Sequence, residues 1–290
     1  MYASPDEARS DLFLAGAVFV FGGTLVTILL SVIPLGRIPG VAPGLALVMP
    51  IVLTVLVPTL LIRYRKQSWA DHGLAGFDAS VAPALLAAAV ITVGGVAATL
   101  LMGRPATSAM PVLQMANAPL GVVSSTLQVT GSLVLAGYGM VKARDAFRGN
   151  PVGLGEAVLR IGRIVAIVGG FALALMIMGD LFSGRNDLDG LVLVGYLLRP
   201  AAVAAAVWLV LRQLGGDGTS TLPVLITPTA IMALGQFGLR FGGGAFLDSL
   251  YRAALFAGVG IVLAVIAERT GRISGAVILG LGVALLAGLS

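Results

Sequence analysis

Five polar side chains stand in stretches that are otherwise apolar, and they bound the chemistry available to the chain. Arg199 lies mid-way through LVLVGYLLRPAAVAAAVWLVL; Gln236 and Arg240, with Phe237 between them, close LPVLITPTAIMALGQFGLRF; Asp248 and Arg252 open FLDSLYRAALFAGVGIVLAVIAERTG. A charged side chain in such a run is costly enough that it faces the protein interior, pairs, or lines a cavity. Asp248 and Arg252 are four residues apart, so on a helix they share a face and can neutralise one another. Arg199 precedes Pro200, which removes a backbone donor and frees carbonyls one turn back; Arg199 is expected to hydrogen-bond them. The set Arg199, Gln236, Phe237, Arg240, Asp248 and Arg252 therefore suits binding an anionic group better than it suits bond cleavage.

Other chemistries lack their residues. The chain has no cysteine, which excludes disulfides, thiolate metal sites and a cysteine nucleophile. Its one histidine, His72, sits beside Asp71 in the linker KQSWADHGLAGFDA and is expected to be an exposed loop residue. A site built on several histidines is out of reach of one chain, and no metal or cofactor is expected. No phosphate-cradling glycine loop with lysine occurs. Asp187 and Asp189 form part of a calcium-loop spacing, but the remainder is missing and a solvated acidic turn accounts for them.

The elements that hold these residues follow from composition. The chain is 58% hydrophobic and 11% charged, with a mean hydropathy of +1.03, whereas soluble domains carry about a quarter charged residues. Apolar runs of 17 to 24 residues recur at 12–35, 41–62, 81–102, 119–141, 161–182, 191–211, 222–239, 246–266 and 273–289. These lengths match helices crossing a roughly 30 Å hydrocarbon core, the last being at the short limit. The expected fold is all-α, one polytopic bundle of eight or nine spans. The first run lacks a basic leader and a small-residue cleavage site, so it is expected to be retained.

The net charge of +5 does not point to nucleic acid, because the basic residues cluster between spans. Arg63, Arg65, Lys66, Lys142, Arg144, Arg148, Arg160, Arg212, Arg269 and Arg272 follow even-numbered runs; Arg37, Arg104, Arg185 and Arg240 follow odd-numbered ones. The positive-inside rule then makes the N-terminus cytoplasmic in a multi-pass protein of the cell membrane. Glycine is abundant, at 40 residues, and concentrated within the spans, where small residues let helix backbones approach.

The last four spans, 191–290, resemble the intramembrane CAAX-protease and bacteriocin-processing family (CPBP, or Abi). That family carries Glu-Glu-x-x-x-Arg on one helix, Phe-x-x-x-His on the next and His-x-x-x-Asn on the last. In this sequence VGYLLR places Val194 and Gly195 at the glutamates and Arg199 at the arginine. FGLRF places Phe237 at the phenylalanine and Phe241 at the histidine, and GLGVA places Gly280 and Ala284 at the final pair. The linker RYRKQSWADHGLAG is also similar to one that many members carry. The resemblance implies a four-span core at 191–290 behind N-terminal spans at 1–190, in one membrane domain. It also implies a proteolytically dead member, since none of the substituted positions offers a base.

The expectation is a non-catalytic scaffold or accessory subunit, a pseudo-protease that binds another integral membrane protein within the bilayer. The alternative is a transporter or lipid-binding protein that uses intramembrane arginines. An active intramembrane protease ranks third.

Overall fold

The computed structural model describes residues 4–32, 40–74, 76, 79–105, 108, 110–147, 149–183, 189–215, 218–238 and 246–286; within helices it describes the backbone alone at 24, 26–32, 42, 43, 180, 183 and 236–238. The described residues form nine helices: α1 (Pro5–Val32), α2, α3 (Val81–Leu101), α4 (Pro119–Ala146), α5 (Leu154–Ser183), α6 (Gly190–Leu214), α7 (Leu222–Gly238), α8 (Phe246–Thr270) and α9 (Gly275–Leu286). α2 runs Val41–Ile51, makes one π-helical turn at Val52–Leu56, and continues through Val57–Tyr64. Six of the nine are long and apolar enough to cross a membrane; α7 and α9 are shorter apolar helices.

Several helices outrun the apolar segments that announce them. α1 begins at Pro5 and not at 12, α4 continues to Ala146 and not to 141, and α5 begins at Leu154 and not at 161. An apolar run marks the depth that sits in hydrocarbon, while the helix end is fixed by caps and by partners for polar side chains. Pro5 suits a first helical position, whose N–H has no partner in any case. The extra turns gather at one end of the bundle, the basic end, and carry Glu7, Asp11, Lys142 and Arg144. The ladder of β1 (Val152–Gly153) on β2 (Thr219–Ser220) lies there too, pairing Val152 with Ser220 antiparallel.

α8 is the central helix. It packs against α7, α5 and α6, and residues 255–267 are buried without a break. In lipid, close backbone approach replaces hydrophobic drive as the source of packing. Gly260 shows this: a Cβ there would lie 2.7 Å from the Pro228 carbonyl oxygen of α7. α9 packs against α4 and α3 more extensively than against α8, so the last four helices are interleaved with the earlier ones.

Proline inside a helix leaves the carbonyl four residues back without its donor, and in lipid another group must supply one. Pro50 of α2 does this to Ala46, and the Ser124 hydroxyl of α4 donates to the Ala46 oxygen at 2.7 Å. The same device recurs at Pro200.

Candidate functional site

α6 begins at Asp189, whose carboxylate accepts from the Val192 N–H at 2.9 Å. The aspartate expected in a solvated turn is thus a helix cap; Asp187 lies outside the described residues. Eleven residues on, Pro200 frees the Tyr196 carbonyl. Its donor is the Tyr251 hydroxyl of α8, and the two tyrosine rings meet edge-on with centroids 5.5 Å apart. Tyr251, not Arg199, therefore supplies the donor for the freed carbonyl, contrary to the sequence expectation.

Arg199 turns to α3 instead. Its Nη2 donates to Thr99 Oγ1 at 3.2 Å, while the same hydroxyl donates to Gly95 O at 2.8 Å. The crossing that allows this is tight: a Cβ on Gly94 would lie 2.2 Å from Ala202 Cβ, and one on Gly195 would lie 2.7 Å from Ala98 O. Arg199 is 5% exposed, and its Nε is buried with no hydrogen-bond partner among the described residues. It borders a cavity of about 310 Å³ shared with Arg104, Ser108, Gln114 and Ser125. Every described residue lining that cavity is neutral or cationic.

The other expected site residues divide. Asp248 Oδ2 and Arg252 Nε form the i, i+4 ion pair that their spacing predicts, at 2.9 Å. They flank Tyr251 on α8 and do not line the Arg199 cavity. The backbone of Gln236 and Phe237 closes α7, but their side chains, with Arg240 and Phe241, lie outside the described residues. Of the positions matched to family glutamates, Val194 is exposed and Gly195 is buried against α3. Gly280 and Ala284 are buried on α9, with Gly280 against Thr130 of α4. Among the described residues no three His, Cys, Asp or Glu side chains converge as a metal cradle.

A second polar cluster, at the basic end, went unread in the sequence. Asp11 of α1 is 3% exposed and Lys142 of α4 is 0% exposed. Lys142 Nζ lies 3.5 Å from Asp11 Oδ2, and Arg65 Nη2 lies 3.1 Å from Asp11 Oδ1. The other arm of Arg65 reaches Glu7 Oε1 at 2.9 Å. The Asp11 hydrogen bond holds the Arg65 guanidinium above its ordinary range. Lys142 also stands 4.9 Å from the centroid of the Tyr138 ring. The visible signal was Glu7 and Asp11 at i, i+4 on the face of one helix, an acidic pair that requires cations. Lys142 counted as a loop charge because the apolar run stops before it.

His72 belongs to the same cluster and is 2% exposed, where an exposed loop residue was expected. Its ring stacks on Tyr138 at 5.4 Å, and its Nδ1 lies 3.0 Å from Ser68 O. A carbonyl can only accept, so Nδ1 carries the proton and Nε2 is left bare, buried and without a partner among the described residues. Burial pushes the His72 pKa down. The neighbouring Asp71 carboxylate is held below its ordinary value by the Ser68 backbone N–H that it accepts from.

The third feature is a lateral groove. α5 and α6 both lie on α8 but scarcely touch each other. Between them runs an apolar cavity of about 470 Å³, floored by Tyr251, Ala254, Leu255, Gly258 and Ile261 of α8. Gly162, Ala166 and Gly170 of α5 line it, at a spacing of four. A Cβ on Gly162 or Gly170 would meet nothing within 4 Å.

Comparison with protein-family models, with curated proteins and with solved structures finds no match for this chain.

Proposed function

We propose that this chain is a non-catalytic scaffold or accessory subunit of the cell membrane, a CPBP-like pseudo-protease that seats a helix of another integral membrane protein between α5 and α6. One observation carries the reading: the Gly162–Ala166–Gly170 stripe faces the lateral groove, with open space where the glycine side chains would be. Small residues four apart allow helix backbones to come close, whereas an acyl chain gains nothing from them. At two helix crossings inside the bundle glycines are occupied: Gly94 meets Ala202, and Gly280 meets Thr130. On α5, Gly162 and Gly170 are vacant, while Gly169 beside them meets Ala254 of α8. The non-catalytic half of the reading rests on Val194, Gly195, Phe241 and Gly280, which bring no titratable group to the positions where the resembled family has its acids and histidines.

In this reading all nine helices enter the bilayer. α9, with 12 described residues, is about 18 Å long at 1.5 Å per residue, so it crosses only where the bilayer thins or the helix continues beyond Leu286. The basic end faces the cytoplasm, and with it the N-terminus, following the arginine and lysine distribution.

The absence of cysteine gives a clean test. Single-cysteine variants A166C and I164C place a unique thiol on the groove face of α5 or on its far face. Each is labelled with a benzophenone and irradiated in native membranes. A discrete protein adduct is expected from A166C and not from I164C. Lipid adducts alone at A166C, or the same adduct from both sites, sink the proposal.

A further inference from the structure

The Arg199 cavity is independent of the groove. Arg199 lies nine residues into α6, about 13 Å along the helix axis, and guanidinium stays charged in proteins. A cation at that depth needs a counter-charge or a polar cavity. Among the described residues the cavity lining supplies no carboxylate. Asp248, the acid that opens α8, is already held by Arg252 at 2.9 Å. Guanidinium has five N–H donors; here Nη2 serves Thr99 while Nε is buried with no acceptor among the described residues.

A second cation makes the arrangement worse unless something is bound. Arg104, exposed just beyond the end of α3, lines the same cavity. Two guanidinium groups facing one space of about 310 Å³ repel each other when it holds only water. An oxyanion between them reverses the sign of that interaction and gives Nε its acceptor. Planar guanidinium matches phosphate and carboxylate oxygens in pairs. Ser108 and Ser125 border the same space and provide hydroxyls. The cavity opens where Arg104, Ala118 and Gly121 are exposed, at the end of the bundle opposite the basic cluster.

We infer that this cavity is an oxyanion site, built by Arg199 and Arg104 to take a phosphate group, supplied either by an anionic lipid of the adjoining leaflet or by free phosphate. Arg199 gives depth and orientation through its Thr99 hydrogen bond, and Arg104 gives the mouth of the site its charge. Arg252 is not a ligand, because Asp248 occupies it.

The purified full-length chain in neutral detergent is titrated with inorganic phosphate. Separately it is titrated with mixed micelles containing phosphatidylglycerol or phosphatidylcholine. The thermal unfolding midpoint reports binding to wild type, R104Q, R199M and the control R163Q, an exposed arginine on α5 outside the cavity. Phosphate or phosphatidylglycerol is expected to raise the midpoint of wild type and R163Q. In R104Q the apparent Kd should rise roughly tenfold or more, the value of one charge-assisted hydrogen bond, and in R199M the response should vanish. A response to phosphate alone supports the site with a soluble anion; a response to phosphatidylglycerol but not to phosphate or phosphatidylcholine supports it with a lipid head group. No response in wild type overturns the inference, as does equal weakening of R104Q and R163Q. R104Q changes a surface side chain, so the result stands even where R199M disturbs packing.

Discussion

Lys142 and Arg199 are both cations buried inside helices, at opposite ends of the bundle, and their surroundings differ in every respect that matters. Lys142 meets Asp11, Gln67 and the Tyr138 ring. Around it Glu7 and Asp11 balance Arg65 and Lys142, two negative charges to two positive. Among the described residues Arg199 makes one hydrogen bond to a hydroxyl, borders a cavity without an acid, and shares that cavity with another arginine. A closed set of charges ties α1, α2 and α4 together. An open set is arranged around something else. Burial and charge alone do not separate structural from binding residues; completeness of pairing does.

The same substitution at both cations tests the distinction most severely. K142M leaves Asp11 with Arg65 as its remaining cation and removes a cross-helix tie, and breaking one side of a buried ion pair costs about 3–5 kcal/mol. R199M removes a charge whose desolvation the protein does not offset, and replaces it with an apolar side chain of similar length. Its unfolding free energy in detergent, without added anion, should change by less than about 1 kcal/mol, since replacing a poorly compensated buried charge is often neutral or stabilising. Equal and large losses in both variants would make Arg199 a structural residue and erase the contrast.

Much of the fold was legible because hydropathy reports bilayer depth directly. Each apolar run contains a helix, and the Asp248–Arg252 pair follows from helical spacing alone. The basic-end cluster was not legible, because it sits in the turns just past the apolar runs, where the sequence does not distinguish loop from helix. The partner of Arg199 was unreadable for another reason. Thr99 is one hundred residues away, and only the close crossing at Gly94 and Gly195 brings it into reach. The i, i+4 logic that found Asp248–Arg252 has no counterpart for contacts between helices.

Tyr251 and Ser124 allow a gentler comparison, because both donate to a carbonyl freed by a proline. Tyr251 is 3% exposed and serves Tyr196 beneath Arg199; Ser124 serves Ala46 on the exposed side of α2. Removing a donor from a buried acceptor costs about 1–3 kcal/mol, because the orphaned group finds no substitute. Y251F should therefore lower stability by that amount, and also weaken the anion response if the Tyr251–Tyr196 bond positions Arg199. S124A should cost less, because its surroundings are open. Circular dichroism melts of the two variants in the same detergent rank them, and a larger loss in S124A would mean that burial does not set the cost.

His72 supplies the smallest effect and the finest test of the closed cluster. Like Arg199 it has a buried nitrogen without a partner, but as a neutral ring it demands no counter-charge. Because burial depresses its pKa, the ring remains uncharged in the folded protein at pH values where the unfolded chain, with an ordinary value of about 6.5, is already taking up a proton. Protons thus bind the unfolded state first as pH falls, and stability declines below about pH 6.5 until the folded value is passed. Asp71 does not blur this window. Its carboxylate is also depressed, so its contribution is present above the ordinary aspartate value of about 3.9 and is lost only at more acidic pH. H72F keeps a ring against Tyr138 and removes the titration. Wild type should lose stability between pH 7.5 and pH 5 relative to H72F, whose profile over that interval should be flatter. Parallel profiles would mean that the bare Nε2 is solvated when charged, and the basic end would then be less completely closed than the Lys142 pairing indicates.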